Sequence, residues 1–130
     1  PHTADVIIEA WGPDLPACCE EAVAALLGLC FERHPSSVVE RLGFAVVPGP
    51  TDTMLLDLLD EVVFVVDTEE TVPVEAAVRA GSSGGLDVEL TMVGRDEVEP
   101  VGSAPKAVSH SGLMVEHGDG GVRCSFLVDV

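Results

Sequence analysis

Residues 51–93 read TDTMLLDLLDEVVFVVDTEETVPVEAAVRAGSSGGLDVELTMV, and this stretch decides the fold because it contains a helix pattern followed by strand patterns. In its first part, apolar side chains recur at helical spacing from Leu55 to Val66, while acidic side chains fall on the other face. Thr51 or Asp52 precedes the apolar stripe and is expected to cap the helix. The first part therefore predicts an amphipathic helix.

The second part of this stretch predicts a β-hairpin. Val72–Ala80 and Leu86–Val93 alternate in the manner of strands, and the glycine-rich residues 81–85 between them are typical of a turn. A second hairpin is predicted near the end of the chain, where Leu113–Glu116 and Val122–Val130 flank another glycine-rich segment. Neither glycine run matches a phosphate-binding loop, because both lie between strands rather than before a helix.

The N-terminal half adds a strand, a helix and another strand. Residues 5–10 contain the β-branched run Val6-Ile7-Ile8 and predict a strand. Residues 14 to about 33–35 predict a helix that begins at the capping residue Asp14. Residues 38–47 predict a further strand, and residues 94–105 form a polar segment. We therefore expect one domain over residues 1–130 with an α+β fold, in which two helices pack on a largely antiparallel β-sheet.

Charge is the strongest compositional signal. The 130 residues include 23 acidic and six basic side chains, which give a net charge of -17. Such a surface repels phosphate backbones, so direct binding of nucleic acid is not expected, whereas cations or a basic protein partner would be attracted. The alternative, which composition alone favours, is that the acidic surface only keeps the protein soluble or suits a salty cytoplasm. Hydrophobic residues make up 47% of the chain. No run reaches the ~18 apolar residues that a membrane span requires, so we expect no membrane association.

The cysteines and the start of the chain indicate a cytoplasmic protein. The four cysteines have neither zinc-ligand nor disulfide-framework spacing, which favours buried, reduced thiols. The chain starts at Pro1 without an initiator methionine, so a short leader is missing or was removed. The first residues lack the basic and apolar regions of a signal peptide, and nothing else points to export.

Four segments, in this order, resemble the archease family. They are His2–Asp5, Asp57–Glu61 running into Asp67–Glu69, Lys106–Val108 ahead of Gly112–Leu113, and Asp129–Val130. Each segment is weak evidence alone, but the four together span the chain with the expected intervening lengths.

This resemblance implies an accessory protein of RNA splicing and repair. Archeases promote guanylylation of the RtcB-type RNA ligase, which joins RNA ends bearing a 2′,3′-cyclic phosphate or a 3′-phosphate to 5′-hydroxyl ends in tRNA splicing. The family's metal site falls on Asp5, Asp129 and Val130, and its ligase-activating lysine falls on Lys106. The chain departs from the family at Ser111, which stands where the family usually has histidine.

The residues alone also suggest a metal site. Asp5 opens the first strand, Asp129 ends the last one, and chain termini often lie close together at the surface of a domain. If those strands are neighbours, two carboxylates and the α-carboxylate of Val130 would form an anionic cluster. Hard oxygen ligands favour Ca²⁺ or Mg²⁺ over Zn²⁺. Two ordinary solvated aspartates are the alternative.

Other functions stay open at this point. Lys106, the only lysine, is either a surface residue or a mobile point charge that contacts a phosphate or an acidic group of a partner. The protein could be a stand-alone acidic metal-binding or chaperone-like module. A small hydrolase is a third possibility, since His110 lies between Ser109 and Ser111 and the adjacent Cys18 and Cys19 offer thiols. It is disfavoured because neighbouring residues on a strand point to opposite faces.

Overall fold

The computed structural model describes residues 5–32, 37–102 and 104–130, which form two helices and nine strands. The helices are α1 (Leu15–Cys30) and α2 (Thr51–Thr68). The strands are β1 (Val6–Gly12), β2 (Phe31–Glu32), β3 (Val38–Val46), β4 (Thr71–Ala80), β5 (Leu86–Gly94), β6 (Glu99–Pro100), β7 (Ala107–Val108), β8 (Met114–Gly118) and β9 (Gly121–Asp129). A short 3-10 turn spans Arg95–Glu97.

The strands form three antiparallel sheets. In the first, called here the terminal sheet, β9 pairs with β1 on one side and with both β7 and β8 on the other. The second sheet has the order β3-β5-β4 and contains the predicted hairpin. The third is the short pair of β2 and β6. The terminal sheet thus joins the first and last strands of the chain.

Both helices pack apolar faces against the sheets. At the start of α1, the Asp14 carboxylate accepts a hydrogen bond from the Ala17 N–H at 2.9 Å, and Pro16 lies in the first turn, where it costs no helix hydrogen bond. Most of the predicted α2 stripe is buried, including Leu55, Leu59, Val62 and Val66, whereas Leu56 and Val63 are half-buried and the fully buried Leu58 lies outside the predicted stripe. Burial of each such side chain contributes roughly 1.5–3 kcal/mol. One large core cluster includes both helices and both larger sheets.

The structure confirms the α+β fold with two helices and antiparallel pairing, and it corrects three details. The first helix ends at Cys30, because Phe31 and Glu32 are extended and pair with β6. Pro50, rather than Thr51 or Asp52, occupies the N-cap of α2, although the Asp52 carboxylate accepts a hydrogen bond from the Thr53 N–H in the first turn at 2.8 Å. The strands divide into three sheets rather than one. Within the described residues, neither helix is long and apolar enough to cross a membrane.

Candidate functional site

Three strand ends meet at one end of the terminal sheet. Val6, the first residue of β1, pairs with Val128 of β9, and Ala107 of β7 pairs with Asp129 on the other side of β9. The Lys106 N–H donates to the Asp129 carbonyl oxygen at 2.8 Å. Asp5 lies one residue before Val6. The structure therefore brings together the candidate residues Asp5, Lys106, Asp129 and Val130.

The two aspartates share the outer face of the terminal sheet. Val128 is fully buried, and its partner Val6 packs on the core. Because side chains alternate between the two faces of a strand, their neighbours Asp129 and Asp5 point outward. Continuing the register by one residue places Asp5 opposite Asp129, and directly opposed residues have Cβ atoms about 4.5–5.5 Å apart. Asp5 is exposed and Asp129 is half-buried. This spacing suits two carboxylates that contact one cation.

The oxygen donors at this end fit a hard divalent cation. Two carboxylates and the oxygens of Val130 are available, and Ca²⁺ and Mg²⁺ complete their coordination with main-chain oxygens and water. In residues 5–32, 37–102 and 104–130, no group of three or more His, Cys, Asp and Glu side chains is close enough to hold a metal ion. A cation here would therefore depend on main-chain oxygens and water in addition to the two aspartates.

Lys106 lies beside this pair of carboxylates without being buried. Its backbone is tied to Asp129, and its side chain is exposed. It makes no ion pair with another residue of the described ranges. A positive charge next to an acidic end is thus available to a partner.

A second acidic group lies near this end on α2, and sequence reasoning missed it. Burial raises the pKa of the Asp60 carboxyl above its ordinary value, the nearby His110 opposes this rise, and the Asp57 carboxylate adds to it. His110 belongs to the turn between β7 and β8, where α2 also contacts both strands. The prediction had only placed Asp57 and Asp60 on the outward face of the helix.

The turn that carries His110 is shaped by local hydrogen bonds. The Ser111 N–H donates to the Ser109 hydroxyl oxygen at 3.1 Å, and the Ser109 N–H donates to the Leu127 carbonyl at 2.9 Å. Gly112 has a φ of +77°, a backbone conformation that favours glycine. Ser111 and His110 are both exposed. His110, which precedes Ser111, lies close enough to α2 to act on the Asp60 carboxyl.

The thiols do not form a nucleophilic site. All four cysteines are free and buried, as predicted. Desolvation raises the pKa of Cys19 and of Cys124 to about 12 and that of Cys30 to about 11, and it also raises the pKa of Cys18 above its ordinary value. The Cys18 thiol donates to the Ala10 carbonyl at 3.6 Å. These groups are therefore protonated at neutral pH and serve as core residues.

Comparison with known proteins shows the family. The model of the Archease protein family matches residues 1–130. Two Mycobacterium tuberculosis proteins, from strains CDC 1551 and H37Rv and each named "Probable protein archease", are 32% identical over 130 residues. The match covers 100% of this chain and 72% of each relative. The chain belongs to the archease family.

Solved structures of similar fold support the α+β architecture of this archease. A solution structure of Methanobacterium thermoautotrophicum protein 1598 has a TM-score of 0.74 at 22% identity, and it covers 100% of this chain and 95% of that one. A crystal structure from Thermotoga maritima, described as an archease and possible chaperone, has a TM-score of 0.75 at 18% identity, with 99% and 93% coverage. At these identities the likeness concerns the fold, and none of the names states a reaction.

Parts of three of the four segments that carry the archease resemblance lie at one end of the terminal sheet, and α2, which carries most of the fourth, contacts strands at that end. Asp5, residues 106–113 and residues 129–130 lie at one end of the terminal sheet, and residues 57–61 lie on the helix that contacts β7 and β8. Residues 2–4 of the first segment lie outside the described residues, as does His34. Parts of the chain more than 120 residues apart in sequence are therefore neighbours at this end.

Proposed function

We propose that this protein activates an RtcB-type RNA ligase in the cytoplasm, by promoting guanylylation of the ligase during tRNA splicing and RNA repair. The observation that carries the proposal is the meeting of Asp5, Asp129 and Lys106 at one end of the terminal sheet. This end would face the active site of the ligase. The protein supplies charged groups to its partner and carries out no chemistry of its own.

Charge supports a protein partner rather than RNA as the direct ligand. At a net charge of -17, the chain repels a phosphate backbone and attracts a basic surface. Electrostatic complementarity of this kind mainly raises the rate of encounter and orients docking. A ligase that binds GTP and RNA phosphates needs basic groups in its active site, and the acidic end of this protein would complement them.

Within this end, the residues have separate roles. Asp5, Asp129 and the oxygens of Val130 would hold a divalent cation, Ca²⁺ or Mg²⁺, which supplies positive charge at an otherwise acidic surface. Lys106 is exposed, and its flexible stem can carry the ammonium group to a nucleotide phosphate or to an acidic group of the ligase. Asp57, Asp60 and His110 border this end and set the charge around it.

A guanylylation assay tests the proposal. The cognate ligase is incubated with GTP and a substoichiometric amount of this protein, and guanylylated ligase is measured over time. We expect several ligase molecules to be guanylylated per molecule of activator. No gain in guanylylated ligase would refute the proposed function.

Matched variants test which residues act. Lys106→Ala should abolish activation, whereas Arg79→Ala removes an exposed positive charge from β4 and should leave it intact. Asp5→Asn should also abolish activation. Asp119→Asn is its control, because Asp119 lies in the β8–β9 turn, roughly 26 Å along β9 from Asp129. Full activation by a folded Lys106→Ala variant would remove that residue from the mechanism.

A chaperone-like function is the second candidate, because the Thermotoga maritima relative is described as a possible chaperone. Exposed apolar side chains on the terminal sheet, including Ile7 and Trp11, are consistent with such binding. A chaperone would suppress aggregation of unrelated unfolded proteins, and Asp5→Asn would not impair that activity. The thiols do not support a hydrolase, since all four are buried and protonated at neutral pH.

A further inference from the structure

A groove of about 610 Å³ lies between β1 and α1, away from the end that carries Asp5. Residues 9–12 of β1 line one side, and Ala17, Ala24 and Ala25 of α1 line the other. In the described part of the chain, β1 pairs with β9 alone and is therefore an edge strand. Small side chains next to an edge strand leave room for an extended segment to lie alongside it.

Trp11 forms the rim of this groove and is 68% exposed. It also lines a second depression of about 270 Å³, bordered by β8 and β9, so the indole stands between two concave surfaces. Trp11 is the only tryptophan of the chain. Exposed tryptophans beside pockets are frequent centres of binding energy in protein interfaces.

The charge of the groove is negative. Glu9, Glu20 and Glu21 line it. Glu9 is paired with Arg123 at 2.7 Å, and Glu20 accepts the Val78 N–H at 2.8 Å. Glu21 is exposed on α1, and its carboxylate makes no hydrogen bond or ion pair with another described residue. Glu21 is thus an acidic group with which a positively charged ligand could pair in the groove that Trp11 also lines.

We propose that the groove binds an extended, arginine-bearing segment of a partner protein along the edge of β1. Arginine fits better than lysine because its planar guanidinium stacks on an indole and bonds a carboxylate with two N–H groups at once. The free edge of β1 can form backbone hydrogen bonds only with a segment that is extended. Trp11 lies six residues from Asp5, roughly 20 Å along the strand, so this surface is separate from the proposed metal-binding end. The proposal does not require that the partner be the ligase.

Peptide titration tests the proposal directly. The probe is an acetylated octapeptide of alternating arginine and threonine, and the comparison peptide has lysine in place of arginine. Because the chain has one tryptophan and no tyrosine, its fluorescence reports on Trp11. At physiological salt, we expect saturable binding of the arginine peptide with a change in Trp11 emission. The lysine peptide should bind roughly threefold or more weakly.

Calorimetry on variants locates the site. Trp11→Ala should weaken binding of the arginine peptide about tenfold, and Glu21→Gln about threefold. Glu70→Gln makes the same charge change between α2 and β4, outside the groove, and should bind normally. Trp11 is mostly exposed, so its variant should stay folded, as circular dichroism would show.

Two results would overturn the proposal. Equal affinity for both peptides, together with unchanged binding by Trp11→Ala, would mean that binding depends only on attraction between the charge of the peptide and the net charge of the protein. Light scattering provides the second check. If the protein alone is a dimer that Trp11→Ala dissociates, a second copy of this chain occupies the groove instead of a basic partner segment.

Discussion

Gly12 should tolerate no side chain, because β1 ends there directly against the start of α1. A Cβ added to Gly12 would lie 2.7 Å from Cys18 N, 2.8 Å from the Ala17 carbonyl carbon and 2.9 Å from Ala17 Cβ. The first two are backbone atoms of the capped first turn, where Cys18 N–H donates to the Asp14 carbonyl at 3.0 Å. They cannot move without disturbing the cap. We expect Gly12→Ala to lower the free energy of unfolding by about 1–3 kcal/mol, the usual cost of overpacking.

Gly28→Ala is the matched control for this prediction. Gly28 is exposed within α1, and an added Cβ would meet nothing within 4 Å. Alanine there should raise the free energy of unfolding by about 0.5–1 kcal/mol, because glycine is unfavourable in helices. Urea unfolding followed by circular dichroism measures both changes. A Gly12→Ala protein as stable as the wild type would refute the close packing of β1 on α1.

Three further predictions concern ionisable and hydrogen-bonding groups. Burial raises the pKa of Asp60 in the folded state, so ionisation of this carboxyl lowers the free energy of unfolding as pH rises through that pKa. Asp60→Asn should therefore have a higher free energy of unfolding than the wild type at pH 7, and the difference should vanish below pH 3.8. Urea titrations of both proteins at each pH measure this difference. Equal stability of the two proteins at pH 7 would contradict this. In the native protein, the four buried thiols should not react with a thiol reagent at pH 8, whereas all four should react once urea unfolds the protein. Rapid labelling of the native protein would contradict this prediction. Glu20→Ala should lower the free energy of unfolding by roughly 1–3 kcal/mol, because it leaves the part-buried Val78 N–H without its hydrogen-bond partner. Glu20→Gln should lower it by less. Equal decreases for the two variants in denaturant titration would count against that hydrogen bond.

The elements predicted from the sequence are those with strong local patterns. The α2 stripe and the β4–β5 hairpin follow from periodicity and the glycine-rich turn, and both are present. The division into three sheets did not follow, because alternation shows that a strand exists but not which strand it pairs with. Phe31–Glu32 and Glu99–Pro100 are too short to give any pattern, although they pair with each other.

The candidate site was predicted in part. The proximity of Asp5 and Asp129 was expected if the strands that carry them are neighbours, and β1 and β9 are paired. The position of Lys106 came only from the family resemblance, since two-residue β7 has no pattern of its own. The proximity of Asp60 and His110 was missed, because no local signal reports a contact between a helix and a turn about 50 residues later.

Calcium binding measured by calorimetry tests most directly whether Asp5 and Asp129 jointly hold a cation. The proteins are wild type, Asp5→Asn, Asp129→Asn, the double variant, and Asp119→Asn as the charge-matched control from the opposite end of β9. Each single substitution should weaken binding roughly tenfold or more, and the double variant should be little worse than either, because both carboxylates serve one ion. Wild-type affinity in Asp5→Asn or Asp129→Asn, or an equal loss in Asp119→Asn, would contradict a shared site at the joined strand ends.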